Sequence, residues 1–334
     1  MTPFTELVDL AAERLGGAAV LANDEFFAPK ENLVRAAPAE WREGVYTNRG
    51  KWMDGWETRR RRTPGHDWCI IRLGLGGIVR GIVVDTAFFR GNYPEHCSLD
   101  GCKARKGMAL EQLAADASLW GEVVPKTPLR GDTRNEIEAR GDAPVTHVRL
   151  NIFPDGGVAR LRVHGEVTPD WDALLRDGGE IDLAAMANGG WVVVCSDMFF
   201  GHRQNLILPG DSTHMGDGWE TRRRRGPGND WTIVRLGRPG TITHVEIDTH
   251  HFKGNAPGAC AMAWCHAPGA TAEQLTSSVR WNELLPRTDM QPHARHEFTK
   301  ELRPADRATH VRLDIFPDGG IARLRVWGKP EPLA

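Results

Sequence analysis

Nine consecutive residues, Asp54-Gly-Trp-Glu-Thr-Arg-Arg-Arg-Arg62, bring two carboxylates, a hydroxyl and four guanidinium groups into one short segment, and the same nine recur unchanged from Asp217 to Arg225. A carboxyl group can deliver a proton to a departing nitrogen or take one from water. A guanidinium stays charged at working pH and offers a planar fork of donors to a carboxylate, so it clamps and does not shuttle protons. Asp54, Glu57, Asp217 and Glu220 are therefore the candidates for acid and base work. Any of them could instead hold an arginine in place. In an extended segment Arg59 and Arg61 face one side and Arg60 and Arg62 the other, so half of the run at most reaches one ligand. Arg59, Arg61, Arg222 and Arg224 are the candidates for that half, with the remainder pairing with carboxylates or covering apolar surface. Most charge runs are solvated faces. This one stands beside tryptophan, precedes a strand and is kept unchanged in two copies that differ elsewhere.

A second element, Asp85-Thr86-Ala-Phe-Phe-Arg90-Gly-Asn92, is matched by Asp248-Thr249-His250-His251-Phe252-Lys253-Gly254-Asn255. A strand that ends on an Asp-Thr pair and runs into a Gly-Asn turn presents polar groups to a ligand from a rigid sheet. Asp85, Thr86, Arg90, Asn92, Asp248, Thr249, Lys253 and Asn255 are candidate binding residues; the alternative is that the Asp-Thr pair caps the turn through its own backbone. Asp24 and Asp197, in Asn23-Asp-Glu-Phe-Phe27 and Ser196-Asp-Met-Phe-Phe200, join the binding set. His250 and His251 replace Ala87 and Phe88, so imidazole catalysis, with His250 as its candidate, belongs to one copy. His147 and His310 stand at equivalent strand starts and read as structural. A divalent ion held by Asp or Glu oxygens stays open, with its ligands unknown. Walker loop, dinucleotide glycine fingerprint, nucleophile elbow and HExxH patterns are all missing, which leaves covalent and nucleotide-dependent mechanisms without support.

These motifs sit in an internal repeat. Across 54–74 and 217–237 the identity is 17 of 21 positions, and across 147–165 and 310–328 it is 16 of 19, both at an offset of 163. The Phe-Phe elements match at an offset of 173, so the first copy carries ten extra residues before its Asp-Gly-Trp motif. A period of this length is a whole domain. The sequence predicts a first domain over 1–167, a linker over 168–187 and a second domain over 188–334. Alternation of Val148, Leu150 and Ile152, then of Leu161 and Val163 beyond Pro154-Asp-Gly-Gly157, predicts a β-hairpin. Strands are also expected at 68–73, 82–86, 231–236 and 245–249, with helices only at 108–116, 271–277 and, amphipathic, Met1–Gly17. Short antiparallel strands in a unit of this size indicate an all-β chain of two tandem jelly-roll sandwiches.

Bulk properties narrow the partners. Forty-two basic and forty-four acidic residues give a net charge of −2, which offers no general attraction to nucleic acid or an anionic membrane. The apolar runs fall short of the ~20 residues that span a bilayer, and the N-terminus lacks the basic start and apolar stretch of a signal peptide. A cytoplasmic protein is expected. Six cysteines in so long a chain read as free thiols facing the core, although the Cys97–Cys102 spacing recurs as Cys260–Cys265.

The doubled Asp-Gly-Trp-Glu-Thr-Arg-Arg-Arg-Arg motif, the Asp-Thr-x-x-Phe-[Arg/Lys]-Gly-Asn element and the Phe-Pro-Asp-Gly-Gly-[Val/Ile]-Ala-Arg-Leu-Arg-Val segment together resemble the allantoicase family over nearly the whole chain. The resemblance implies galactose-binding-like jelly rolls, a homo-oligomer, and hydrolysis of allantoate to ureidoglycolate and urea in purine (allantoin) catabolism. Allantoate has one carboxylate for an arginine fork and two ureido arms on one carbon. The rival reading is a tandem carbohydrate-binding module, with Trp56, Trp68, Trp219 and Trp231 stacking on sugars; four successive arginines suit a neutral glycan poorly. A scaffold that meets an acidic partner through the arginine run is the third.

Overall fold

A computed structural model describes residues 3–176 and 178–332. The chain divides into two compact units, Met1–Pro169 and Asp170–Ala334, each with the same order of principal strands. Within the first unit one strand, Asp67–Asp85, organises everything else. Its first part pairs with Ala18–Ala22 and with Val145–Phe153, beyond which follow His96–Cys102 and Gly121–Pro128. Its second part pairs with Arg160–Val167 and with Arg134–Glu138, and Val8–Asp9 closes that edge. All pairings are antiparallel. One strand thus belongs to two layers, and the apolar side chains Ile71, Ile82, Val84, Leu150, Ile152, Leu161 and Val163 are fully buried. Asp230–Asp248 does the same in the second unit, with Ala308–Phe316 on one part and Arg323–Pro330 on the other. The expectation of two tandem all-β sandwiches holds.

The stretches 68–73 and 82–86 are therefore two parts of one strand. Where it passes between layers the backbone runs close to the neighbouring chain: a Cβ on Gly77 would stand 2.2 Å from the Glu166 carbonyl oxygen, and one on Gly240 would stand 2.6 Å from that of Lys329. Apolar alternation alone could not reveal that the strand continues through such a crossing.

Three further expectations are corrected. Val145–Phe153 and Arg160–Val167 do not form a hairpin; both alternate because each has one buried face, but they flank different parts of Asp67–Asp85. Phe4–Glu6 and Glu13–Leu15 are single 3-10 turns on either side of a short strand, not an amphipathic helix, because Asp9 is used up in accepting the N–H groups of Ala11 and Val163. The stretch 168–187 carries structure of its own, with Trp171–Leu175 helical and Ile181–Asp182 paired to Arg323–Pro330, as Val8–Asp9 is paired in the first unit. The helices Leu110–Ala115 and Ala272–Ser277 form where expected, burying Leu113 on Ile70 and Cys102 and Leu275 on Ile233 and Cys265. All six cysteines are free, and five are buried. Burial pushes their thiols up, to about 11 at Cys102 and Cys265, so they stay protonated and inert.

The turn after Pro154 locks the far end of the sandwich. Gly156 has φ 138° and its N–H and C=O are both bonded to Thr58, while a Cβ there would meet the Asn92 carbonyl oxygen at 2.8 Å. Backbone of that kind, left-handed and crowded, costs a non-glycine residue about 1–3 kcal/mol before the clash is counted. Gly156→Ala is expected to lower unfolding free energy by about 2 kcal/mol or more in urea titration, and Gly319→Ala, with φ 136°, to do the same in the second unit.

Candidate active site

The repeated motif folds as a ribbon at the end of each sandwich. Trp56–Glu57 pairs with Gly157–Val158 on one side and bridges to Ala28 on the other; Trp219–Glu220 pairs with Gly320–Ile321 and bridges through Glu220 to Gly201. Trp56 and Trp219 are fully buried, and each indole N–H donates at 2.8 Å to the carbonyl of the candidate aspartate, Asp24 or Asp197. They support the ribbon and offer no face to a sugar.

The ribbon brings together two motifs that are distant in sequence. Gly157 N–H donates to the Asn92 carbonyl, and Asn92 Nδ2 donates to Glu57 Oε1 at 2.7 Å. In the second unit Gly320 N–H meets the Asn255 carbonyl, and Asn255 Nδ2 reaches Glu220 Oε1 at 2.5 Å and Met215 Sδ at 3.3 Å. Burial pushes the Glu57 carboxyl up from its ordinary value, opposed only in part by the Asn92 hydrogen bond. A carboxyl that keeps its proton toward neutral pH, held by a carboxamide, can act as a proton donor.

The arginines divide in two, as expected of an extended run, but with the halves exchanged. Arg59 lies on Asp24, Nε to Oδ2 at 2.7 Å, and Arg61 lies on Asp67 at 2.7 Å, with its own N–H on Asp155. Arg222 is held by Asp197 and Arg224 by Asp230 and Asp318 in the same way. Burial works against ionisation of Asp24 and Asp197, but the backbone N–H groups and guanidinium they accept outweigh it and hold both carboxyls below the usual range. Arg60, Arg62, Arg223 and Arg225 are exposed, and none has a hydrogen-bond or ion-pair partner among the described residues. Asn23, Asp24, Arg59 to Arg62, Thr63 and Asp67 line an open pocket of about 290 Å³. Free positive charge there comes from Arg60 and Arg62.

Asp54 and Asp217 are likewise committed to the protein. Asp54 Oδ2 accepts from Arg160 at 2.7 Å and from the Glu40 N–H at 2.9 Å; Asp217 Oδ2 accepts from Arg323 at 2.9 Å. Arg160 and Arg323 are buried and spend their remaining donors on loop carbonyls, those of Ala37, Pro38 and Asp54 and of Asn205, Gly210 and Asp217. Sequence reasoning missed these two arginines; their recurrence in Ala-Arg-Leu-Arg-Val was the available signal. The Asp-Thr pairs cap their turns. Thr86 Oγ donates to the Arg130 carbonyl at 2.6 Å and Thr249 Oγ to that of Gln291 at 2.8 Å, both fully buried, while Asp85 Oδ1 accepts the Ala87 N–H. Arg90 pairs with Asp132 at 3.0 Å, and Lys253 is exposed.

Asp248 differs from Asp85. It is buried, and its Oδ1 accepts both the His250 backbone N–H at 2.7 Å and His250 Nδ1 at 2.6 Å. His251 and His293 stand beside it, with ring centroids 6.4 and 5.0 Å from that of His250. Nothing in the sequence pointed to His293, which replaces Asp132. His147 and His310 bond to the preceding threonine hydroxyls, and burial pushes His310 down to about 4, a structural part as expected. Among the described residues no three His, Cys, Asp or Glu side chains gather as a metal-holding group, so the divalent ion left open by the sequence has no assigned donors. No helix among them is long and apolar enough to cross a membrane.

A duplicated antiparallel sandwich that repeats one carboxyl-carboxamide pair and one set of clamped arginines defines a tandem-repeat protein. The Allantoicase repeat profile matches residues 8–168 and 181–331. The chain belongs to the allantoicase family. A probable allantoicase from Photobacterium profundum is 48% identical, covering 97% of either chain, and one from Pseudomonas aeruginosa is 47% identical, covering 98% of either chain. The crystal structure of allantoicase from Saccharomyces cerevisiae superposes with a TM-score of 0.79 at 36% identity, over 97% of this chain and 93% of that one.

Removing the Asp54 carboxylate leaves a buried guanidinium without its counter-charge, which typically costs about 3–5 kcal/mol. Asp54→Asn is expected to lose stability on that scale, measured by urea unfolding. Burial raises the Asp54 pKa, but Arg160 first, then the Glu40 N–H and Arg35, outweigh it and depress it. The folded pKa thus lies below the unfolded one, so the contribution is complete above the ordinary carboxyl range, around pH 4, and fades as pH falls through the folded value. The deficit of Asp54→Asn against wild type should accordingly shrink below about pH 4.

Proposed function

We propose that this protein hydrolyses allantoate to ureidoglycolate and urea. The observation that carries the reading is the pairing of Glu57 with Asn92 and of Glu220 with Asn255, within a chain that belongs to the allantoicase family over both repeats. Breaking the bond between the central carbon of allantoate and one ureido nitrogen requires a proton on that nitrogen as it leaves as urea. We assign the desolvated Glu57 as a donor, with Glu220 as its positional counterpart; Asn92 and Asn255 fix the two carboxyls, and Asn92 offers its second N–H to a ureido oxygen. Arg60, Arg62, Arg223 and Arg225 supply the uncommitted charge for the substrate carboxylate; Arg59, Arg61, Arg222 and Arg224 shape the loop that carries them. Asp54 and Asp217, neutralised by buried arginines, take no proton in this scheme.

The reading carries with it a homo-oligomer, as the family resemblance implies, and a cytoplasmic location, as the N-terminal sequence suggests. The carbohydrate-binding alternative loses two of its four tryptophans, because Trp56 and Trp219 are buried, whereas Trp68 and Trp231 are half-buried.

Urea release from allantoate, followed by coupled assay, tests the reaction. The double variant Glu57→Gln/Glu220→Gln is expected to lose about 10²–10⁴-fold in kcat, the range of general acid catalysis, with its fold intact by circular dichroism. Turnover at the wild-type rate in that variant would remove the carboxyls from the mechanism.

A further inference from the structure

Three imidazoles meet in the second unit, and their partners fix which nitrogen of each carries a proton. His250 Nδ1 faces the buried Asp248 carboxylate at 2.6 Å, so Nδ1 is protonated and the Nε2 lone pair is free. The His251 Nε2 lies 2.9 Å from the Ser212 carbonyl, which can only accept, so Nε2 carries the hydrogen. His293 Nδ1 accepts the His251 backbone N–H at 2.9 Å, which leaves Nε2 as an N–H donor. The cluster thus presents one oriented acceptor and one oriented donor from rings 5.0 Å apart and nearly perpendicular. A buried carboxylate that fixes one imidazole nitrogen and frees the other is the arrangement that makes histidine a base.

The first unit has the same backbone without this chemistry. Ala87, Phe88 and Asp132 stand at the equivalent positions; Asp132 caps the Phe88 N–H and holds Arg90, and Trp41 of the ten-residue insertion rests on the Phe88 ring at 5.8 Å. Phe88 and His251 share φ values of 69° and 71°, and Asp132 and His293 share 49° and 53°. One fold accommodates either set.

We propose that His250, oriented by Asp248, activates water for allantoate hydrolysis and that the His293 Nε2–H donates to the carbonyl oxygen of the departing ureido arm, so that water activation belongs to the second unit alone. This rests on the allantoate reading. His250 Nε2 takes a proton from water, and the water oxygen bonds to the central carbon. The bond from that carbon to one ureido nitrogen breaks with its electron pair on nitrogen, which takes a proton by way of the Glu220 carboxyl and leaves as urea. The imidazolium proton then returns through solvent to the carboxylate, so both groups end as they began. The loop 210–217 touches His251 through Ser212 and Asn255 through Met215, so one segment contacts both the imidazole cluster and the partner of Glu220. The charged groups around the base are Asp248, Lys253, His251, His293 and Arg295, the last at 3.7 Å from Asp248 and held by Glu246 and Asp211. Partial desolvation, then Lys253, His250 and His251, push His293 below the ordinary imidazole value against the opposing pull of Asp248, and so favour the neutral form with Nδ1 accepting. The Glu57 and Asn92 pair of the first unit can hold a ureido compound without an imidazole to activate water.

The test grafts the first unit's own side chains, which this backbone already accepts. His250→Ala is expected to cut kcat by 10²-fold or more with little change in KM, and to recover in part with added imidazole. His293→Asp keeps the cap on residue 251 and removes the donor; a tenfold or greater loss is expected, with recovery in His293→Asn. Half or more of the wild-type rate in His250→Ala would overturn the assignment. Ureidoacetate, a one-armed analogue, is titrated in parallel while imidazole nitrogen shifts are followed: movement at His250 and His293, and not at His147, is expected. Still imidazoles overturn the proposal whatever the turnover. Moving imidazoles in a wild-type protein that releases no urea would sink the allantoate reading and leave the ligand site standing.

Discussion

A guanidinium buried at the end of a strand must have its donors filled, and in this protein that demand shapes everything around the site. Arg160 stands opposite Asp85 in the sheet and holds Asp54, and through the carbonyls of Ala37 and Pro38 it draws the preceding loop onto the sandwich. Arg323 does the same with Asp217, Asn205 and Gly210. The aspartate of the Asp-Gly-Trp motif is therefore spent on structure, and the glutamate three residues later is delivered to its asparagine on a ribbon whose position the buried ion pair sets. The first unit inserts ten residues into that loop and still finds two carbonyls for the arginine, which is why the insertion changes what covers the site without moving the carboxyl.

The arginine run follows from the same accounting of charge. Four like charges in succession repel one another, and alternate members are relieved by carboxylates from other elements, Asp24 and Asp67 in one unit and Asp197 and Asp230 in the other. The clamped members also lie over aromatic faces, Arg59 on Phe26 at 5.2 Å and Arg222 on Phe199 at 4.9 Å. What remains is a pair of free guanidiniums per unit on a backbone made rigid by their neighbours. A mobile clamp would lose more entropy on binding a small anion.

Much of this was legible in the sequence because duplication repeats a pattern twice: the repeat, its period, the all-β class and the paired Glu and Asn motifs follow from comparing one half with the other. The misreadings share a cause. Alternation reports that a strand has one wet face, not which strand it pairs with, so 145–153 and 160–167 look like a hairpin although each pairs with Asp67–Asp85. Motif reading likewise registers that Asp54, Arg59 and Arg61 are charged but not that Arg160, Asp24 and Asp67 neutralise them, since those partners lie up to 106 residues away. His293 left no trace, because it matches neither its counterpart nor any motif.

The two units show which parts of the site the backbone demands and which it merely permits. Left-handed conformations at Phe88 and His251, and at Asp132 and His293, cost a non-glycine residue about 1–3 kcal/mol each and persist only where the surroundings hold them. Both units share one hydrogen bond there, from the backbone N–H of the first residue to the side chain of the second, and either a carboxylate oxygen or an imidazole nitrogen can accept it. The constraint is on the acceptor and not on the residue type. A carboxylate there is acceptor only, whereas a neutral imidazole that accepts through one nitrogen must donate through the other. The exchange of Asp132 for His293 thus leaves the turn as it was and adds an outward N–H, so new chemistry could enter one copy of the fold without loss of the interaction that keeps the turn in place.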